Sequence, residues 1–337
     1  MIWLTDFCNV MRHRLRPDQY VTGILAGDRL VLSQAITLVE SQLATDQVLA
    51  QQVLAGVLPR SGHSTRIGIT GVPGVGKSTF IEAFGKHLTG LGHRLAVLAV
   101  DPTSQRSKGS LLGDKTRMKI LSTDPNAYIR PSPAGDSLGG VAHHTRETML
   151  LCEAAGFDVI LVETVGVGQS ETVVHGMVDF FLLLMLAGAG DELQGMKRGI
   201  MELADALAIT KADGDTEAAA NRARMEYQNA LHLFPPTGTG WFPPVLTCSA
   251  LTGTGIERIW PTVREHQQML AATGHTEQRR QEQQLTWFRS LLRQQIDARF
   301  YAQPGLNQRL MAVEAQVRAG TLLPGAAVDL LLNERGR

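Results

Sequence analysis

Residues 66–84 narrow the folds open to this chain more than any other stretch. An apolar run, Arg66-Ile67-Gly68-Ile69-Thr70, leads into Gly71-Val72-Pro73-Gly74-Val75-Gly76-Lys77-Ser78, and Thr79-Phe80-Ile81-Glu82-Ala83-Phe84 continues at helical spacing. The pattern G-x-x-x-x-G-K-S between a strand and a helix is that of a phosphate-cradling loop. Gly71, Gly74 and Gly76 let the backbone turn its N–H groups onto phosphate oxygens, and the helix start adds a positive dipole end. Residues Gly71, Val72, Pro73, Gly74, Val75, Gly76, Lys77, Ser78 and Thr79 are therefore expected to surround a nucleotide's phosphates. Lys77 is expected to meet the β and γ phosphates, and Ser78 to coordinate Mg2+.

Such a loop needs a sheet behind it. Short β-rich runs recur at Arg66–Thr70, Arg94–Val100, Val159–Glu163, Phe180–Leu186, Ala206–Thr210 and Val245–Ser249, with helical patterns at Lys77–Leu91, Val141–Ala155 and Thr216–Leu233. This alternation predicts an α/β fold, a mainly parallel sheet flanked by helices, with the ligand edge at the carboxyl ends of the strands. Before it, Asp28–Leu58 reads as two amphipathic helices. After it, Ile256–Ala272, Glu277–Tyr301 and Leu306–Ala319 read as helices. Leu285, Phe288, Leu291, Leu292 and Ile296 form one apolar stripe that calls for packing of some kind. The expected division is an N-terminal helical extension over 1–62, a core over 63–272 and a C-terminal helical dimerisation arm over 273–337.

Composition removes other readings. The 32 Lys plus Arg are balanced by 32 Asp plus Glu, so generic nucleic-acid or anionic-membrane binding is not expected. The three cysteines, Cys8, Cys152 and Cys248, are too few and too scattered for a disulfide framework or a thiolate zinc site. No segment reaches the ~18 apolar residues of a membrane span, and the N-terminus lacks the form of a signal peptide. A cytoplasmic location is expected.

Carboxylates at strand ends are the natural holders of a nucleotide's metal, because a hard cation prefers oxygen. Asp101 after the run LAVLAV, Asp114 in LLGDKTRM and Glu163 at the end of VILVE are the candidates, each alternatively a cap of the turn that follows. Glu163-Thr164-Val165-Gly166 has the form of a γ-phosphate sensor, with the N–H of Gly166 as donor. Gln169 either orients attacking water or is an ordinary loop amide. Base choice falls to Thr210-Lys211-Ala212-Asp213. Asp213 would accept from guanine N1–H and the 2-amino group, and the stem of Lys211 would lie along the ring. Ser249-Ala250-Leu251 resembles the loop whose amide meets guanine O6.

Together these segments, with AVDPTS, RPSPAGDSLGGVAHHTRE, DVILVETVGVGQSE and LAGAGDELQGMKRGIMELAD, resemble the cobalamin-linked GTPases that accompany methylmalonyl-CoA mutase, the MeaB and MMAA group, historically labelled ArgK or the LAO/AO transport system kinase. The resemblance runs from about Arg66 to Leu251. It implies a P-loop GTPase of the signal-recognition and metallochaperone class, commonly dimeric through its C-terminal helices. Such a protein gates adenosylcobalamin delivery to the mutase and protects or reactivates it. It implies GTP and Mg2+ as ligands, a metal shell of Ser78, Asp101, Asp114 and Glu163, and a mobile switch over 188–201 from which Lys197 approaches the nucleotide. Three positions depart from that pattern: Thr210 stands where Asn is usual, Lys108 where glycine is expected, and His143 with His144 where smaller or polar residues are common. Two other readings remain beside this one. One is a kinase of a periplasmic lysine/arginine/ornithine-binding protein, and the other a metallochaperone, for which His143 and His144 supply the densest His pair.

Overall fold

A computed structural model of the chain describes residues 14–100, 118–131, 138–164, 170–188, 198–234 and 238–333. It divides into a unit ending at Gln283 and a smaller one beginning at Gln284.

The first unit is built on seven strands: β1 (Thr65–Gly71), β2 (Leu95–Val100), β3 (Ala127–Arg130), β4 (Val159–Thr164), β5 (Phe180–Leu186), β6 (Ala206–Thr210) and β7 (Val245–Thr247). They pair in the order β3-β2-β4-β1-β5-β6-β7, every pair parallel. Every residue of β1, β2, β4 and β6 is buried, which is why these strands read as continuous apolar runs rather than alternating ones.

The pleat sends alternate residues to opposite faces. Ile67, Ile69, Val97, Leu161, Phe180 and Leu182 pack with Phe80, Ile81, Phe84 and Leu88 of α4 (Lys77–Gly90) and with Ile259 and Val263 of α9 (Ile259–Ala272). Leu98, Val100, Ile160, Val162 and Phe181 face the other way. There they meet α1 (Pro17–Leu25), α2 (Arg29–Val39), α3 (Ala44–Val57) and α5 (Leu138–Ala154). The two helices expected over 28–58 are α2 and α3, and Asp28 caps α2 by accepting from the N–H groups of Leu30 and Val31 at 2.8 and 3.1 Å. Beyond β5, α6 (Ser170–His175), α7 (Arg198–Leu203) and α8 (Glu217–Leu231) complete the layers.

Polar anchors fix the lower end of the sheet. The buried Glu153 carboxylate accepts from Arg66 Nε and an Arg66 terminal nitrogen at 2.8 and 3.0 Å, from Ser64 Oγ at 2.5 Å and from the Gly62 N–H at 2.6 Å. Breaking such a pair leaves a nearly buried guanidinium uncompensated, so Glu153→Ala is expected to destabilise the protein by about 3–5 kcal/mol. Thermal unfolding against wild type checks it. Cys152 and Cys248 are free and buried, and burial pushes the Cys248 thiol up to about 12, so neither is a nucleophile at neutral pH.

The sequence patterns do not mark β3, α1, α6, α7 or α12 (Pro324–Asn333), and β7 ends at Thr247 rather than Ser249 because the chain turns there into the loop described below. In the smaller unit, the end of α10 (His275–Tyr301) is followed by α11 (Leu306–Arg318) and α12, which share Leu306, Val313 and Ala327 as buried contacts. The stripe of α10 is open: Leu285, Phe288, Leu292 and Ile296 are 54, 61, 48 and 56% exposed. No helix among the described residues is long and apolar enough to cross a membrane.

Candidate functional site

The strand order places β1 between β4 and β5, so the loop after β1 meets the carboxyl ends of β4 and β6. That loop turns as the glycines require. A Cβ on Gly71 would stand 2.5 Å from the Leu184 carbonyl oxygen, a backbone atom that cannot yield. Gly76 precedes α4 with φ of 92°, a conformation open chiefly to glycine. Val75, between them, is buried and pins the loop to the core.

Lys77, the first residue of α4, folds its ammonium back over the loop, donating to the Gly71 carbonyl at 2.7 Å and the Val72 carbonyl at 3.4 Å. Burial lowers its pKa, opposed by the charges of Glu163 and Glu171. Next to it, Ser78 Oγ lies 3.1 Å from Glu163 Oε1. The register sets Glu163 opposite Ile69 of β1 and Ala99 of β2, so the only strand carboxylate at this edge among the described residues is aimed at the start of α4. The adjoining Thr164 hydroxyl lies 2.9 Å from that of Thr70, locking the two strand ends together. A hydroxyl and a carboxylate in contact beside a glycine-rich loop form an all-oxygen donor set, which fits Mg2+.

The second half of the site is the T-K-x-D segment. Thr210 Oγ1 donates to the Val75 carbonyl at 2.8 Å, and Lys211 Nζ donates to the Gly74 carbonyl at 2.9 Å. The segment is thereby bolted to the phosphate loop by two side chains in succession. Lys211 has φ of 55°, the only non-glycine in that region among the described residues. Such strain costs roughly 1–2 kcal/mol and persists where the surroundings demand it. Thr216 Oγ1 closes the turn by donating to the Lys211 and Asp213 carbonyls. Asp213 accepts from Ser249 Oγ, and Ser249 Oγ accepts from the Thr252 N–H at 3.1 Å. Ala250 and the 84%-exposed Leu251 follow at the rim.

The structure thus brings together Gly71 to Thr79, Glu163, Thr210, Lys211, Asp213 and Ser249 to Leu251. Asp101, Asp114, Gly166, Gln169 and Lys197 lie outside the described residues. Glu171, buried within the field of Lys77, and Thr216 were not singled out from sequence. No motif marks either, because each matters only through its position in the assembled fold.

A family model described as "Methylmalonyl Co-A mutase-associated GTPase MeaB" matches residues 32–305. The chain belongs to this family. Members and solved structures agree along most of its length. A Caulobacter vibrioides protein named "Putative GTPase" is 53% identical, covering 94% of this chain and 96% of the relative. The Mus musculus "Methylmalonic aciduria type A homolog, mitochondrial" is 48% identical, covering 94% and 78%. A crystal structure titled "LAO/AO transport system kinase" superposes with a TM-score of 0.75 at 39% identity, covering 94% of this chain and 96% of that one. The protein is accordingly a P-loop GTPase of the MeaB family.

For a MeaB-family chain the threonine at 210 now has a physical account. Its hydroxyl ties this segment to the phosphate loop through the Val75 carbonyl. Thr210→Val keeps the shape but leaves the Val75 carbonyl, in a buried residue, without that donor. We expect a loss of about 1–3 kcal/mol, read as a lower melting temperature both nucleotide-free and with GDP.

Proposed function

We propose that this chain is a Mg2+-dependent GTP switch that serves an adenosylcobalamin-dependent methylmalonyl-CoA mutase as its chaperone, gating cofactor delivery and protecting or reactivating the mutase. The observation that carries the reading is the family match over residues 32–305, on a chain whose phosphate loop and base segment are joined by Thr210 and Lys211. The name of the mouse relative points the same way.

In this reading the backbone N–H groups of Gly71 to Thr79 hold the phosphates, and Lys77 neutralises charge that moves onto the leaving and transferred oxygens during cleavage. Asp213 reads guanine, flanked by Lys211 and the loop from Ser249 through Ala250 to Leu251. Ser78 and Glu163, with Asp101 and Asp114, would hold Mg2+, which supplies charge neutralisation at the phosphates. Gly166 would sense the γ phosphate, Gln169 would orient water, and Lys197 would enter from the switch when partner is bound. Contacts to the γ phosphate order such segments and cleavage releases them.

The division into an extension over 1–62, a GTPase core over 63–272 and an arm over 273–337 belongs to the same reading, with a homodimer formed through the arm and a cytoplasmic location. The apolar stripe Leu285, Phe288, Leu292 and Ile296 supports the arm, since four exposed large side chains on one helix face favour a covering surface. Phe288→Glu is expected to shift a sedimenting dimer to monomer.

GTP turnover measured with and without purified mutase tests the function. Acceleration and a stable complex are expected, and absence of both would sink the proposal. The kinase reading finds less support, because the Asp213–Ser249 arrangement suits guanine rather than adenine. Stable label on a periplasmic binding protein after incubation with γ-labelled ATP would reverse that ranking.

A further inference from the structure

Away from the nucleotide loops, α5 carries a second cluster of chemistry. We propose that His143, His144 and Glu147 form a binding site for a divalent transition metal ion of the zinc or nickel type, held by two imidazoles and one carboxylate. One ligand atom from each residue lies within 4.8 Å of the others. His143 Nε2 is 3.5 Å from Glu147 Oε1, and His144 Nδ1 is 3.8 Å from Glu147 Oε2. Zinc–nitrogen and zinc–oxygen bonds of about 2.0–2.2 Å place tetrahedral ligands roughly 3.4 Å apart, so small side-chain rotations bring all three into range.

The separations are longer than hydrogen bonds, and His144 Nδ1 is buried with no hydrogen-bond partner among the described residues. A buried polar nitrogen without a hydrogen bond, turned toward a carboxylate 3.8 Å away, has the geometry of two ligands that share a cation. Glu147 sits with its side chain 5% exposed and also accepts from Gln51 Nε2 of α3 at 3.1 Å, an outer partner of the kind that orients a metal-binding carboxylate. Both imidazoles keep 21% of their surface open, which admits the ion and a water as fourth ligand. Two nitrogens and one oxygen favour zinc, nickel or cobalt over Mg2+ or Ca2+.

Helical spacing makes the arrangement: residues 143 and 147 are one turn apart, and 144 and 147 share the adjoining face. Glu153 anchors the other end of α5 at the start of β1. Ten residues at 1.5 Å each set the histidines about 15 Å further along, toward the strand ends.

Full-length protein, stripped by chelator and free of nucleotide, titrated with Zn2+ by calorimetry, provides the test. One Zn2+ per chain is expected in wild type and its loss in H143Q/H144Q, while Gln51→Ala weakens it by roughly tenfold or more. Should the double variant fail to fold, His144→Gln alone decides, since that ring is partly exposed and its Nδ1 makes no hydrogen bond. Substituting Co2+ in wild type adds a visible spectrum that is intense for tetrahedral and weak for octahedral coordination. Equal Zn2+ stoichiometry and affinity in wild type and in the folded His variant would place the metal elsewhere and overturn the proposal, as would no binding by wild type.

Discussion

Lys77→Ala is expected to lower GTP turnover by roughly two to three orders of magnitude, the usual consequence of deleting one preorganised donor from a transition-state site. The ammonium is already in place, 2.7 Å from the Gly71 carbonyl and 3.4 Å from that of Val72. It therefore needs little rearrangement when charge shifts on the phosphates. Its partial burial, which lowers its pKa, also excludes the water that would screen it, so the same charge acts more strongly there than in bulk solvent. The fold is expected to survive, because Lys77 is itself only half-buried at the first position of α4 and Ala favours the helix. Single-turnover hydrolysis beside a melting curve separates the two effects. Turnover within a few fold of wild type, at unchanged stability, would mean that another cation performs the neutralisation.

Much of this site was legible because its chemistry is local. Three glycines, a lysine and a serine at fixed offsets after an apolar run leave few alternatives, and the strands on either side are long Val, Leu and Ile runs that a doubly covered parallel sheet requires. What escaped depends on distance in sequence. The strand Ala127–Arg130 has four residues, and its Arg130 is recruited by Glu40 at the C-terminal cap of α2, so no apolar pattern marks it. The helix Pro17–Leu25 shows only Tyr20 and Ile24 as buried residues, too short a stripe to announce a helix. Glu171 acts on Lys77 across 94 residues of chain.

Thr210 is a case of the same kind. It stands where Asn is usual, and nothing in the local sequence announces that its hydroxyl reaches the Val75 carbonyl, 135 residues away in the chain. The stripe on α10 is apolar in sequence and exposed in the fold, because helical spacing shows which residues share a face and not what that face meets.

Asp213→Asn is expected to invert base preference from guanine to xanthine. The carboxylate would accept from N1–H and from the 2-amino group, and hydrogen bonds to a charged acceptor contribute about 1.5–3 kcal/mol each. The amide oxygen still accepts from N1–H, so one such bond is lost and the other falls to neutral strength, weakening GTP by roughly 10–10³-fold. The amide places a donor against the 2-amino group, a direct mismatch, while the O2 of xanthine accepts from that same donor. The loop itself should hold its shape, since the Ser249 hydroxyl that now donates to Asp213 can rotate to serve either end of an amide. Thr216 and the Lys211 tie to Gly74 involve no atom of that side chain's carboxylate. Displacement of a fluorescent guanine nucleotide by GTP, ATP and XTP reads the outcome. If XTP gains nothing while GTP binding stays intact, guanine is recognised by other groups. If both are lost and the protein remains folded, the carboxylate holds the loop rather than reading the base.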